Sequence, residues 1–143
     1  MAKKLSIIYG TGFQNAGLMA KAIAEGAMNE GIDVILQIVD EVSPEDVENA
    51  DAIAIGLATY EDSMKFVESL AKVPLKGKVG AAFGAYGWSG EGPVVVTKIL
   101  SSYGMNVIDP PLSIERIPDE EALDTCRNFG KSIAEYIKLQ EEI

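Results

Sequence analysis

Three short stretches of this chain gather the groups that could do chemistry. The first, Tyr9-Gly10-Thr11-Gly12-Phe13-Gln14-Asn15-Ala16, follows an apolar run and leads into a helical pattern. Glycines between a buried strand and a helix start leave a nest of backbone N–H groups, and the helix dipole adds to their preference for an anion. Thr11 and Asn15 add a hydroxyl and an amide. The stretch has no lysine or arginine, so a phosphate there would be held by neutral donors. The plainer alternative is a tight strand-to-helix turn with no ligand. The second and third stretches, Ala58-Thr59-Tyr60-Glu61-Asp62 and Ala85-Tyr86-Gly87-Trp88-Ser89-Gly90, put Tyr60, Tyr86 and the single tryptophan after two further apolar runs. Aromatic side chains so placed can clamp a flat conjugated ring by stacking, or can simply cover local apolar surface.

Other chemistries are excluded by what is missing. The chain has no histidine, so neither a Ser-His or Cys-His nucleophile pair nor an imidazole metal ligand is available. One cysteine makes no internal disulfide and no thiolate cluster. Cys126 falls on the stripe Leu123, Cys126, Phe129, Ile133, Ile137 at helical spacing, where a free cysteine acts as a small core hydrophobe. No catalytic residue and no metal site is assigned. The net charge of −10 repels nucleic acid and anionic lipid alike, and suits a partner with a basic patch. Acidity that merely maintains solubility is the competing reading.

The elements that position the three stretches follow from periodicity. At 143 residues the chain is expected to be one domain, 1–143, and its 24% charged content is that of an ordinary globular protein. Short apolar runs at 5–9, 34–39, 52–58 and 79–85 alternate with helical patterns at 15–30, 63–71 and one ending near Tyr103. Gly31 stops the first helix, and Ser43-Pro44-Glu45-Asp46 supplies an N-cap, a first-turn proline and acids for a short one. A fifth strand is expected within 106–114, interrupted by Pro110-Pro111, before a closing helix begun by Pro118-Asp119-Glu120-Glu121. This rhythm is α/β, a parallel sheet covered by helices on both faces. Ligands of such folds sit beyond the carboxyl ends of the strands, where all three stretches lie. Nothing in the chain is apolar for long enough to cross a bilayer, and a cytoplasmic location is expected.

Gly10-x-Gly12-x-x-Asn15 with Asp40 after the second strand is a damaged dinucleotide fingerprint, lacking its third glycine and a second nucleotide-binding half. The aromatic stretches favour an isoalloxazine over a nicotinamide. Tyr9-Gly10-Thr11 through Asn15 resembles the flavodoxin phosphate loop, usually written YGSTTGNT. Gly56-Leu57-Ala58-Thr59-Tyr60 is similar to the second loop, GSPTY. Phe83-Gly84-Ala85-Tyr86-Gly87-Trp88-Ser89-Gly90-Glu91 resembles the FGSYGWSGE pattern of the FMN domain of flavodiiron (A-type) proteins, and the similarity continues through Pro118-Asp119-Glu120-Glu121 to Cys126.

The resemblance implies a flavodoxin-like three-layer sandwich, with a five-stranded parallel sheet in the order 2-1-3-4-5. It implies FMN, held by Thr11, Gly12, Phe13, Gln14, Asn15, Ala16, Ala58, Thr59, Tyr60, Glu61, Ala85, Tyr86, Gly87, Trp88, Ser89 and Gly90. It further implies a monomeric electron carrier, docking larger redox proteins at the flavin edge. The alternatives are a flavin-dependent quinone-type reductase and a dissociated electron-donor module for a diiron partner. Three positions depart from the family patterns: Ala16 replaces a phosphate-loop hydroxyl, Ala58 a proline, and Glu61 a glycine or asparagine. Glycine at that third position eases a peptide flip toward flavin N5.

Overall fold

The computed structural model describes residues 3–10, 14–57, 60–86, 91–115 and 118–141. In chain order the elements are β1 (Lys4–Tyr9), α1 (Gln14–Met28), β2 (Asp33–Ile38), α2 (Pro44–Glu48), β3 (Ala52–Gly56), α3 (Tyr60–Ser69), β4 (Val79–Tyr86), α4 (Glu91–Ser102), β5 (Asn106–Val107), β6 (Leu112–Glu115) and α5 (Glu120–Glu141). The sheet runs β2-β1-β3-β4-β5, every pairing parallel, as expected for the resembled fold. The period of two along each strand sorts its side chains between two cores. Leu5, Ile7, Ala54 and Ala81 pack under α1 and α5 with Met19, Ile23, Cys126 and Ile133. Ile8, Ile53, Ile55 and Ala82 pack on the opposite face with Val47, Val67, Val96 and Leu100 of α2, α3 and α4. All five residues of β3 are buried, the pattern of a central strand covered on both faces.

Local signals account for most element ends. Ser43 caps α2: its Oγ accepts from the Asp46 backbone N–H at 3.2 Å, while the Asp46 carboxylate accepts from the Ser43 N–H at 3.0 Å, and Pro44 follows as anticipated. Gly31 closes the turn after α1 at φ +85°, a backbone conformation that a Cβ would strain. Asp119 Oδ1 accepts from the Ala122 N–H at 2.8 Å, which starts α5.

Two differences from the sequence reading go beyond a residue or two at an element end. α3 begins at Tyr60 rather than at 63, because Glu61 and Asp62 favour the positive end of a helix and extend it backward. The fifth strand is broken into β5, paired with the start of β4 at Val79 and Gly80, and β6, paired with its end from Phe83 to Tyr86. Pro110 and Pro111 lie between them and offer no N–H to a ladder, so the pairing stops and resumes with the register shifted by two residues.

α1 and α5 approach so closely that only glycine fits at two points. A Cβ on Gly26 would stand 1.9 Å from the Arg127 carbonyl oxygen, and one on Gly130 would stand 2.0 Å from that of Ile23. Arg127 also reaches back across this seam to donate to Glu25 at 2.9 Å, and donates to Asp124 on its own helix.

Cys126 is fully buried in the same seam, and burial pushes its thiol up to about 11. The thiolate is the reactive form, so the native protein is expected to resist thiol reagents at about pH 8 and to react once denaturant opens the core. Prompt labelling of the folded protein would show that α5 is not seated as described.

Candidate functional site

The carboxyl ends of β1, β3 and β4 are adjacent in the sheet, and each feeds a helix whose N-terminus returns to the same edge. Tyr9, the last residue of β1, is in register with Gly56, the last of β3. Beyond them the Gly10 N–H donates to the Gly56 carbonyl at 3.0 Å, which ties the entrances of the first and second stretches together. Ile55 pairs with Ala82, and β4 continues to Tyr86, so it overshoots β3 and lines one side of this edge.

α1, α3 and α4 start at Gln14, Tyr60 and Glu91. The first four N–H groups of a helix have no intrahelical acceptor, and the aligned peptide dipoles leave about half a positive charge there. No lysine or arginine occurs in 5–20, 52–64 or 79–97, so attraction for an anion at this edge comes from backbone dipoles and neutral donors, against the acidic Glu61, Asp62 and Glu91 in the same segments. A phosphate ester suits that donor set, because free N–H groups at a helix start can hold an anion without a cationic side chain.

Gln14, Asn15 and Ala16 form the opening turn of α1, with Ala16 buried at 6% exposure. Tyr60 and Glu61 open α3, and Glu61 is exposed. Ala85 and Tyr86 close β4, paired with Ile114 and Glu115 of β6. The structure therefore brings the ends of all three stretches to one edge. Thr11, Gly12, Phe13, Ala58, Thr59, Gly87, Trp88, Ser89 and Gly90 lie outside the described residues. Reasoning from sequence did not single out the Gly10–Gly56 hydrogen bond or the Phe83 ring beside it, since nothing local marks a contact between separate strands.

Away from this edge, a cavity of about 130 Å³ lies beneath α2, lined by Lys4, Ser6, Ile35, Asp46, Asn49 and Ala50. It sits toward the amino ends of β1 and β3, remote from the strand ends just described. Among the described residues no group of three or more histidine, cysteine or acidic side chains could hold a metal ion, and no helix is long and apolar enough to cross a membrane.

Comparison with known proteins agrees with this geometry. Residues 7–130 match the flavodoxin family. The chain is 32% identical over 139 residues to a flavodoxin from Clostridium beijerinckii, covering 91% of this chain and 99% of that one. It is 33% identical over 146 residues to the type A flavoprotein fprA of Rhodobacter capsulatus, where 94% of this chain spans only 33% of the relative. Among solved structures, a flavodoxin from the domain Archaea superposes with a TM-score of 0.89 at 35% identity, over 94% of this chain and 99% of that one.

Proposed function

The chain belongs to the flavodoxin family and is an FMN-binding electron-transfer protein, and we propose that the edge formed by β1, β3 and β4 is where it holds the cofactor. Bound FMN supplies one- and two-electron redox chemistry, while the protein supplies position and electrostatics. Residues Thr11, Gly12, Phe13, Gln14, Asn15 and Ala16 bind the phosphate through backbone N–H groups, with the hydroxyl of Thr11 and the amide of Asn15 assisting. Ala58, Thr59, Tyr60 and Glu61 on one side, and Ala85, Tyr86, Gly87, Trp88, Ser89 and Gly90 on the other, enclose the ring, exclude water and orient it. The observation that supports this assignment is the Gly10–Gly56 hydrogen bond at 3.0 Å, which ties the residue after β1 to the end of β3 at the edge where α1 starts. Titrating apoprotein with FMN tests it: one equivalent saturates the chain, and alanine at Thr11 or Asn15 weakens binding without changing that stoichiometry.

The partners are larger redox proteins, and we assign them basic docking patches. Glu61 and Asp62 stand exposed at the start of α3, within a chain of net charge −10. Electron transfer to a basic redox protein is therefore expected to slow by about tenfold as ionic strength rises through the physiological range, since screening removes the steering. A rate independent of salt would leave the acidity as a solubility device.

A monomer fits the surface, because among the described residues the exposed large apolar side chains Leu18, Met28, Ile35, Val94, Tyr136 and Leu139 are divided among four elements. A second reading, an electron-donor module serving a separate diiron partner, is favoured by the match of nearly the whole chain to one third of fprA. Faster electron transfer to a diiron protein than to other basic acceptors of similar potential would select it.

A further inference from the structure

We propose that Gly56 is a positioning residue for the phosphate end of the cofactor, acting through the Phe83 ring and through the hydrogen bond its carbonyl accepts from Gly10. The inference rests on residues 11–16 being the phosphate loop.

The last row of the sheet beneath α1 carries a gap between two aromatic residues. Tyr9 and Gly56 are in register, and the pairing of Ile55 with Ala82 places Phe83 beside Gly56 on the next strand. Tyr9 and Phe83 both pack into the core under α1 and α5. A Cβ on Gly56 would lie 2.2 Å from Cε2 of Phe83, 2.4 Å from its Cζ and 2.5 Å from its Cδ2. The ring therefore occupies the volume that a side chain at 56 would take. Phe83 is 2% exposed, so a displaced ring has no solvent to enter and must press on its neighbours.

Those neighbours lead to the phosphate loop by two routes. α1 packs on β4 as well as on β1, and Ala16 in its first turn is itself buried. The Tyr9 ring supports the same turn, 3.6 Å from the place a Cβ on Gly17 would have. The second route is covalent and direct, because Gly10 precedes Thr11 and its N–H is anchored at 3.0 Å on the Gly56 carbonyl. A methyl at 56 must move either the ring, and with it the floor under α1, or the end of β3, and with it Gly10. Both movements reach Gly10 or the first turn of α1, which flank the proposed phosphate loop.

FMN and riboflavin differ only in the phosphate, so the ratio of their affinities isolates this effect from a general loosening, which would weaken both alike. The experiment titrates the apo forms of the wild type, Gly56→Ala and the double variant Gly56→Ala/Phe83→Val with each flavin. Valine has no atoms at the δ, ε and ζ positions that would collide with the new methyl. The expected results are a ratio lowered by about tenfold or more in Gly56→Ala, as for the loss of one charge-assisted hydrogen bond, and a return to within about threefold of wild type in the double variant. An unchanged ratio in Gly56→Ala overturns the inference, as does a double variant whose ratio stays low. Should Gly56→Ala not fold, the double variant decides by the same criterion. A wild type with no preference for FMN would overturn the phosphate-loop assignment first, and this inference with it; a preference in the wild type that survives Gly56→Ala overturns this inference alone.

Discussion

Riboflavin is expected to bind the apoprotein at least about a hundredfold more weakly than FMN. A phosphate monoester carries nearly two negative charges near neutral pH. The net charge of −10 and the absence of a cation in 5–20 oppose its binding. The repulsion comes from exposed carboxylates, Glu61 and Asp62 at the start of α3 among them, and is screened within about 10 Å at ordinary ionic strength. The attraction is local: each hydrogen bond to a charged acceptor contributes about 1.5–3 kcal/mol, so two of them outweigh the screened background. Raising ionic strength should then tighten FMN binding slightly while leaving riboflavin unaffected, the opposite of what a lysine-based site would show. Paired titrations at low and high salt measure both effects. Affinities for the two flavins within about threefold of each other would remove residues 11–16 from the phosphate site.

The largest loss of stability is expected from Gly26→Ala or Gly130→Ala. Added methyls in exposed helix interiors ordinarily stabilise by up to about 1 kcal/mol, because alanine is the better helix former. Here the methyl meets backbone, with the Arg127 carbonyl oxygen 1.9 Å from a Cβ on Gly26 and the Ile23 oxygen 2.0 Å from one on Gly130. A carbonyl within a helix cannot rotate aside as a side chain can, so α1 and α5 must separate and the core around Met19, Ile23, Cys126 and Ile133 loosens. Overpacking of this kind costs roughly 3 kcal/mol, a large part of the 5–15 kcal/mol that holds a typical domain together.

Gly31→Ala is the control. Nothing lies within 4 Å of its Cβ position, and only its φ of +85° is strained, so about 1 kcal/mol is expected. Urea denaturation of the three variants orders them. Finding Gly26→Ala no less stable than Gly31→Ala would mean that the helices do not touch at this seam. The double variant Gly26→Ala/Gly130→Ala should fall short of the sum, since helices parted for one methyl already make room for the next.

Most of the architecture was legible in local patterns. Buried runs such as 52–56 marked strands, and the 3.6-residue stripe through Leu123, Cys126, Phe129, Ile133 and Ile137 marked the inward face of α5. Ser43 with Asp46, and Gly31, marked where helices start and stop, because caps and positive φ are demands of a few neighbouring residues. Even the edge of the sheet proposed for the site followed from the rhythm of strand and helix, since parallel strands deliver all their carboxyl ends to one side.

Features that depend on a partner distant in the chain were not visible in this way. The backward extension of α3 to Tyr60 turned a supposed loop residue, Glu61, into part of a helix. The division of the fifth strand into β5 and β6 depended on which β4 residues each half could pair with around Pro110 and Pro111. The need for glycine at 26, 56 and 130 arises only where Arg127, Phe83 and Ile23 come to lie against them. Periodicity and capping are properties of a few adjacent dihedrals, whereas the space available at a glycine, and the partner for a strand-end carbonyl, are set only when separate elements pack at close-packed density.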